Sequence, residues 1–311
     1  MSITTVSSVA TTSLSSHDSP QARLTTHHHH QNPFDSFIQT YNTPELMAKA
    51  YDLHRQLRNK DRRVVLQTQR AVSPDMILRG LVLDHQPPEF DPRNCVTVWC
   101  RPTKQVINLV SKVQSMLQRV EPDIWLMPAQ NLHMTALEIL HSAGNDSVEA
   151  ELLKIRPYLT SLLAPNPSAV LVKPVLSFDQ SALALSFLPD TQIVENEEWY
   201  SYHHYRKDLF DIVQKKAQVP VQSRYQVPSA HVTIARFVKP LQGSMDDWLA
   251  TLEEINDWLV HEGGKDIVWR IGEERGSECR CGRIWYGGGW SEGIGYSLRQ
   301  KDDNEVLWRL V

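Results

Sequence analysis

Apolar and polar residues alternate in two short stretches, Leu132-His133-Met134-Thr135-Ala136 and Ala230-His231-Val232-Thr233-Ile234. Side chains two apart share one face of an extended strand. Each stretch therefore predicts a strand that buries its apolar residues and presents a histidine and a threonine on the other face. Under strict alternation Glu138 and Arg236, each five residues after its histidine, fall on the face opposite the histidines. There they are expected as partners behind the site.

Helical spacing marks the segments between these strands. The first helix is expected from Thr43 as N-cap and Pro44 as first helical residue, with Leu46, Ala50, Leu53 and Leu57 as its buried stripe. Residues 59–94, broken by Pro74, Pro87, Pro88 and Pro92, are expected to be irregular. The core is expected to open with a strand at 95–100, followed by a helix at 103–120 (Val106, Leu109, Val110, Val113, Leu117). A short strand at 124–127, the first His-x-Thr strand and a helix at 147–163 come next. Strands at 169–178 and 182–188 turn at Asp179-Gln180. A second helix-strand-helix run follows, with helices at 202–218 and 245–261 around the second His-x-Thr strand. The later helix carries Trp248, Leu252, Ile255 and Leu259 on one stripe. Strands at 267–273 and 278–286 are expected to form a closing hairpin. The order repeats between halves, so the expected fold is α+β, with two similar lobes. The expected organisation is a disordered tail over 1–40, a helical and irregular elaboration over 41–94, and the main domain over 95–311.

Composition adds limits. The chain has 311 residues, 41% hydrophobic and 22% charged, with a formal net charge of −4. That is an ordinary globular balance. No global positive field favours stable duplex DNA binding. No apolar run is long enough for a membrane span, and none marks a signal peptide. Four cysteines (Cys95, Cys100, Cys279, Cys281) are expected as free thiols in a reducing compartment, cytoplasmic or nuclear. Cys279-Arg280-Cys281 lacks a second ligand pair and is assigned to a strand. The Ser/Thr-rich start and the run His27 to His30 are taken as a solvated tail.

Histidine titrates near neutrality. Two histidines across one pocket can divide the work, one taking a proton from water and the other giving one to a leaving oxygen. Threonine hydroxyls can hold an anionic centre between them. This set suits a phosphodiester and needs no metal. With 13 histidines in the chain, one His-x-Thr alone is weak evidence. Two of them, each in an alternating strand at a matching place in its half, point to one shared site. Tyr202 and Tyr205, next to His203 and His204, and Trp285, beside Tyr286 and the Gly287-Gly288-Gly289 loop, are candidates for stacking a base.

His133-Met134-Thr135-Ala136 and His231-Val232-Thr233-Ile234 resemble the paired His-hydrophobic-Thr/Ser-hydrophobic signature of the two-histidine (2H) phosphoesterase superfamily. That superfamily includes the bacterial RNA 2′,3′-cyclic phosphodiesterases once named for RNA ligase activity. The resemblance covers about residues 95–287. It implies a bilobal, pseudo-symmetric fold, with two antiparallel sheets lining a cleft and helices outside. It implies His133 and His231 as the catalytic pair, Thr135 and Thr233 as phosphate ligands, and no essential metal or cofactor. By analogy His133 is the proton donor and His231 the acceptor. The implied substrate is a nucleoside or RNA 2′,3′-cyclic phosphate, handled by a monomer. A 3′-end RNA exonuclease, a phosphodiesterase on another small phosphorylated metabolite, and an inactive nucleotide- or RNA-binding module remain open as alternatives.

Overall fold

The structure, a computed structural model, describes residues 32–166, 169–192, 198–222 and 228–297. The histidine run at 27–30 and the chain ends lie outside the described residues. The fold is α+β. In chain order it comprises α1 (Pro33–Thr40), α2 (Pro44–Gln69), α3 (Met76–Val82), β1 (Cys95–Cys100), α4 (Lys104–Val120), β2 (Trp125–Leu126) and β3 (Met134–Leu140). Next come α5 (Asn145–Ile155), α6 (Leu159–Leu162), β4 (Val170–Phe178), β5 (Ala182–Pro189), α7 (Tyr202–Asp211) and β6 (His231–Arg236). The chain closes with α8 (Met245–Trp258), β7 (Val268–Arg270), β8 (Glu278–Gly282) and β9 (Trp290–Ile294). Two antiparallel sheets result, ordered β3-β1-β8-β9 and β2-β6-β5-β4-β7. The two His-x-Thr strands, β3 and β6, lie against each other where the sheets meet.

Several elements depart from the sequence expectation. The tail does not reach residue 40. Asn32 caps α1 through its side chain, and Phe34 is fully buried against α7. Region 59–94 is irregular only in part, because α2 runs on to Gln69 and Asp75 caps α3, while 70–75 and 83–94 hold no helix longer than one turn. The expected α2 stripe faces outward: Leu46, Leu53 and Leu57 are exposed, at 43%, 54% and 51%. The inward face carries Met47, Ala48, Tyr51 and Leu66, with polar residues between them. Arg55 donates to Lys173 O at 2.7 Å, and Asn59 Nδ2 to Leu176 O at 3.0 Å. A register break in β4 near Lys173 accompanies these contacts. Polar side chains facing a bulged strand were not distinguishable from a solvated face.

The closing hairpin does not form. β7 pairs with β4 in one sheet, whereas β8 pairs with β1 and β9 in the other. The intervening residues carry the chain between sheets, and Gly276 packs its bare Cα on the Gly295 carbonyl. Gly287 ends a turn that its N–H closes on Ile284 O at 3.0 Å, and Gly288-Gly289 lead from it into β9. All four cysteines are free and buried. No helix among the described residues is long and apolar enough to cross a membrane.

Candidate active site

The register of β3 decides which side chains face the pocket. Trp99 opposes Thr135, but Val98 opposes Leu137, so β3 carries one extra residue at Ala136. A bulge of this kind shifts the later side chains to the other face. β6 does the same: Ala184 opposes Thr233 and Leu183 opposes Ala235, leaving Ile234 as the extra residue. His133, Thr135 and Glu138 therefore share a face, and so do His231, Thr233 and Arg236. This overturns the expectation that Glu138 and Arg236 stand behind the site.

A bulge frees a carbonyl from the ladder, and a buried carbonyl must find a donor elsewhere. Arg206, buried on α7, donates Nε to Ala136 O at 3.1 Å. Gln114, buried on α4, donates Nε2 to Ile234 O at 2.9 Å and to Met127 O at 2.9 Å, and Ile234 O also accepts from Met127 N–H at 2.9 Å. Each bulge thus has its own buried donor from a neighbouring helix.

The result is one pocket lined by His133, Thr135, His231, Thr233, Glu138 and Arg236. Thr97, Trp99, Met127, Ile284 and Trp285 complete its wall.

His133 is held from three sides. Its Nδ1 lies 2.7 Å from Asn131 O, so Nδ1–H donates and Nε2 is left for the pocket. Its ring stacks on Trp99, centroids 3.5 Å apart and 8° from parallel. Arg101 fixes the preceding loop: it grips Glu278 at 2.8 and 2.7 Å and donates to the carbonyls of Gln130 and Leu132, each at 3.2 Å. Gly287, at φ +98°, lets the chain pass against Asn131, which a Cβ there would strike. His231 Nδ1 lies 2.9 Å from Ser229 Oγ.

Both rings keep an edge on the pocket while protein crowds them elsewhere. Burial pushes His133 down to about 3, with the Arg101, His231 and Arg280 charges adding to it against the Asn131 bond. Burial, then the Arg58 and Arg206 charges, pushes His231 down to about 4. The pocket accordingly holds two neutral imidazoles at neutral pH. Arg236 bonds Asp75 through Nη1 at 3.1 Å, and its Nε–H meets no acceptor among the described residues. Asp75 also accepts from the Tyr286 hydroxyl at 2.8 Å, which ties α3 to the pocket rim.

Of the stacking candidates, Trp285 lines the pocket, with the Arg93 guanidinium 4.1 Å from its ring centroid. Tyr202 and Tyr205 do not reach it. Both are buried; the Tyr202 hydroxyl lies 3.5 Å from Thr135 O, and the Tyr205 hydroxyl bonds Ser277 Oγ at 3.1 Å. Tyr202 braces β3 and Tyr205 the residue before β8, since the first turn of α7 faces the core. Sequence reasoning missed Thr97 and Trp99, although the alternation Thr97, Trp99, Arg101 along β1 carried a usable signal.

No family model matches the chain, and no curated protein matches it. Among solved structures, one from Thermus thermophilus is 11% identical, covering 60% of this chain and 88% of that one, with a TM-score of 0.35. A conserved protein of unknown function from Agrobacterium tumefaciens is 13% identical, covering 73% of this chain and 98% of that one, with a TM-score of 0.42.

Proposed function

We propose that the chain is a phosphodiesterase of the two-histidine type, hydrolysing a 2′,3′-cyclic phosphate of a nucleoside or of an RNA end. The observation that carries this reading is the matched pair of bulged strands. Each presents histidine, threonine and a charged residue at the same spacing to one pocket. That correspondence supports a pseudo-symmetric, bilobal reading with the pocket as the cleft between lobes.

In the proposed reaction the substrate phosphate lies between Thr135 and Thr233, whose hydroxyls donate to its oxygens. His231 takes a proton from water, whose oxygen attacks phosphorus. His133, as imidazolium, gives its Nε2 proton to the 2′ or 3′ oxygen as the ring bond to phosphorus breaks. The Asn131 carbonyl holds Nδ1–H throughout, so the same ring nitrogen meets the substrate each turnover. Trp99, stacked under His133, disperses part of its positive charge.

3′-end trimming of a linear RNA is the related reading.

The test is hydrolysis of a nucleoside 2′,3′-cyclic phosphate and of an oligonucleotide ending in one, by chelator-treated protein. Turnover should fall about 10²–10⁴-fold in His133→Ala and in His231→Ala. A folded wild type with no turnover on either substrate rejects the hydrolase reading. Saturable binding without turnover would assign a binding module instead.

A further inference from the structure

The β3 strand bulges a second time, and the two-histidine pocket makes no use of it. Thr97 opposes Glu138 but Val96 opposes Leu140, so Ile139 is again an extra residue. Its carbonyl accepts from Gln222 N–H at 2.9 Å. The shift returns His141 to the face of Glu138, beside Cys95 at the start of β1. Ser142 then turns sharply at φ +51°, in the left-handed region uncommon for a non-glycine residue. Three side chains converge as a result. His141 Nδ1 lies 2.9 Å from Glu138 Oε1 and 3.8 Å from Cys95 Sγ, and the three donor atoms all lie within 4.8 Å of one another.

We propose that Cys95, Glu138 and His141 form a binding site for a zinc ion at the wall of the active-site pocket. A thiolate, an imidazole and a carboxylate are a borderline-soft donor set that suits zinc over magnesium or calcium. Zinc–ligand bonds of ~2.0–2.3 Å in a tetrahedron imply donor-to-donor edges of about 3.3–3.6 Å. The 2.9 and 3.8 Å separations bracket that range, and the third pair, Cys95 with Glu138, lies within 4.8 Å, so an ion draws the three donors together. An ion pair between Glu138 and His141 leaves the third donor unexplained, since nothing in that pair requires a buried thiol at the same nitrogen. Cys95 and Glu138 are both buried, and Glu138 also lines the pocket.

Binding releases one proton per ion. The Cys95 thiol, which burial pushes up, becomes thiolate and its proton passes to solvent. The His141 proton moves from Nδ1 to Nε2 with no net change, and Glu138 binds as the carboxylate. The ion cancels the Glu138 charge on the pocket wall, so a phosphate anion binds more tightly when the site is filled. The proposal goes beyond the phosphodiesterase reading and does not depend on it.

The experiment is titration of the chelator-treated full chain with cobalt(II), followed by absorption. The histidine run at 27–30 can bind cobalt but gives no thiolate-to-cobalt charge-transfer band, which isolates the proposed site. One equivalent should generate that band and zinc should displace it. Cys95→Ser should abolish the band, and the near-isosteric Glu138→Gln should weaken cobalt binding about 10–100-fold or more. Circular dichroism establishes that each variant is folded. A folded wild type without the band, or a band that survives Cys95→Ser, overturns the proposal.

Discussion

At the residue scale, the proposed chemistry depends on how two imidazoles are kept neutral until a substrate arrives. Burial holds His133 and His231 down at about 3 and about 4. The proposed acid step needs one of them protonated. A phosphate anion between them favours the charged form and raises its pKa. For the proposed hydrolysis, kcat/KM, which reports the free protein, should therefore decline as pH rises above about 4. kcat, which reports the complex, should hold to a higher pH before its alkaline limb falls. Parallel pH profiles of both constants check this; coincident alkaline limbs would mean that the anion does not set the proton on the acid.

At the element scale, the two bulges do the positioning, and each is held by a buried side-chain donor, with the Met127 N–H beside Gln114 on Ile234 O. Replacing Gln114 by leucine leaves the carbonyls of Met127 and Ile234 without that donor. The expected loss is ~1–3 kcal/mol of stability. Arg206→Met removes the donor of Ala136 O and exposes the same weakness on β3. Both substitutions should lower kcat more than a surface substitution of equal stability cost, because β3 and β6 then lose the offset that turns Glu138 and Arg236 inward. Urea unfolding paired with kinetics distinguishes the two effects: activity that tracks stability alone would make the bulges merely structural. The α4 stripe was legible in sequence from Val106 to Leu117. Gln114 within it was the one visible hint of a strand irregularity some 120 residues away.

At the scale of the whole molecule, the N-terminal helices belong to the core. Phe34, Met47, Leu66 and Leu78 are fully buried. At ~1.5–3 kcal/mol each, their burial amounts to about 6–12 kcal/mol, comparable to the ~5–15 kcal/mol stability of a typical domain. Arg206, which holds the β3 bulge, packs its guanidinium 4.5 Å from the Phe34 ring centroid. A chain cut to 95–311 should therefore fail to fold cooperatively, whereas one cut to 32–311 should retain α1 and its packing. Thermal unfolding of the two truncations decides the point, and a cooperative 95–311 fragment would return these helices to the status of an add-on.

Local pattern alone determined the two His-x-Thr strands, the α4 and α8 stripes, the Thr43 cap, and the four residues His133, Thr135, His231 and Thr233. Each of these depends on neighbours within a few positions, and period and capping chemistry act at that range. The partners of β7 and β8, the inward face of α2, the side on which Glu138 and Arg236 lie, and the meeting of Cys95 with Glu138 and His141 were decided only by the tertiary structure. One inserted residue reverses every later side chain of a strand. Whether a strand carries that residue depends on a donor, Gln114 or Arg206, supplied from a distant part of the chain.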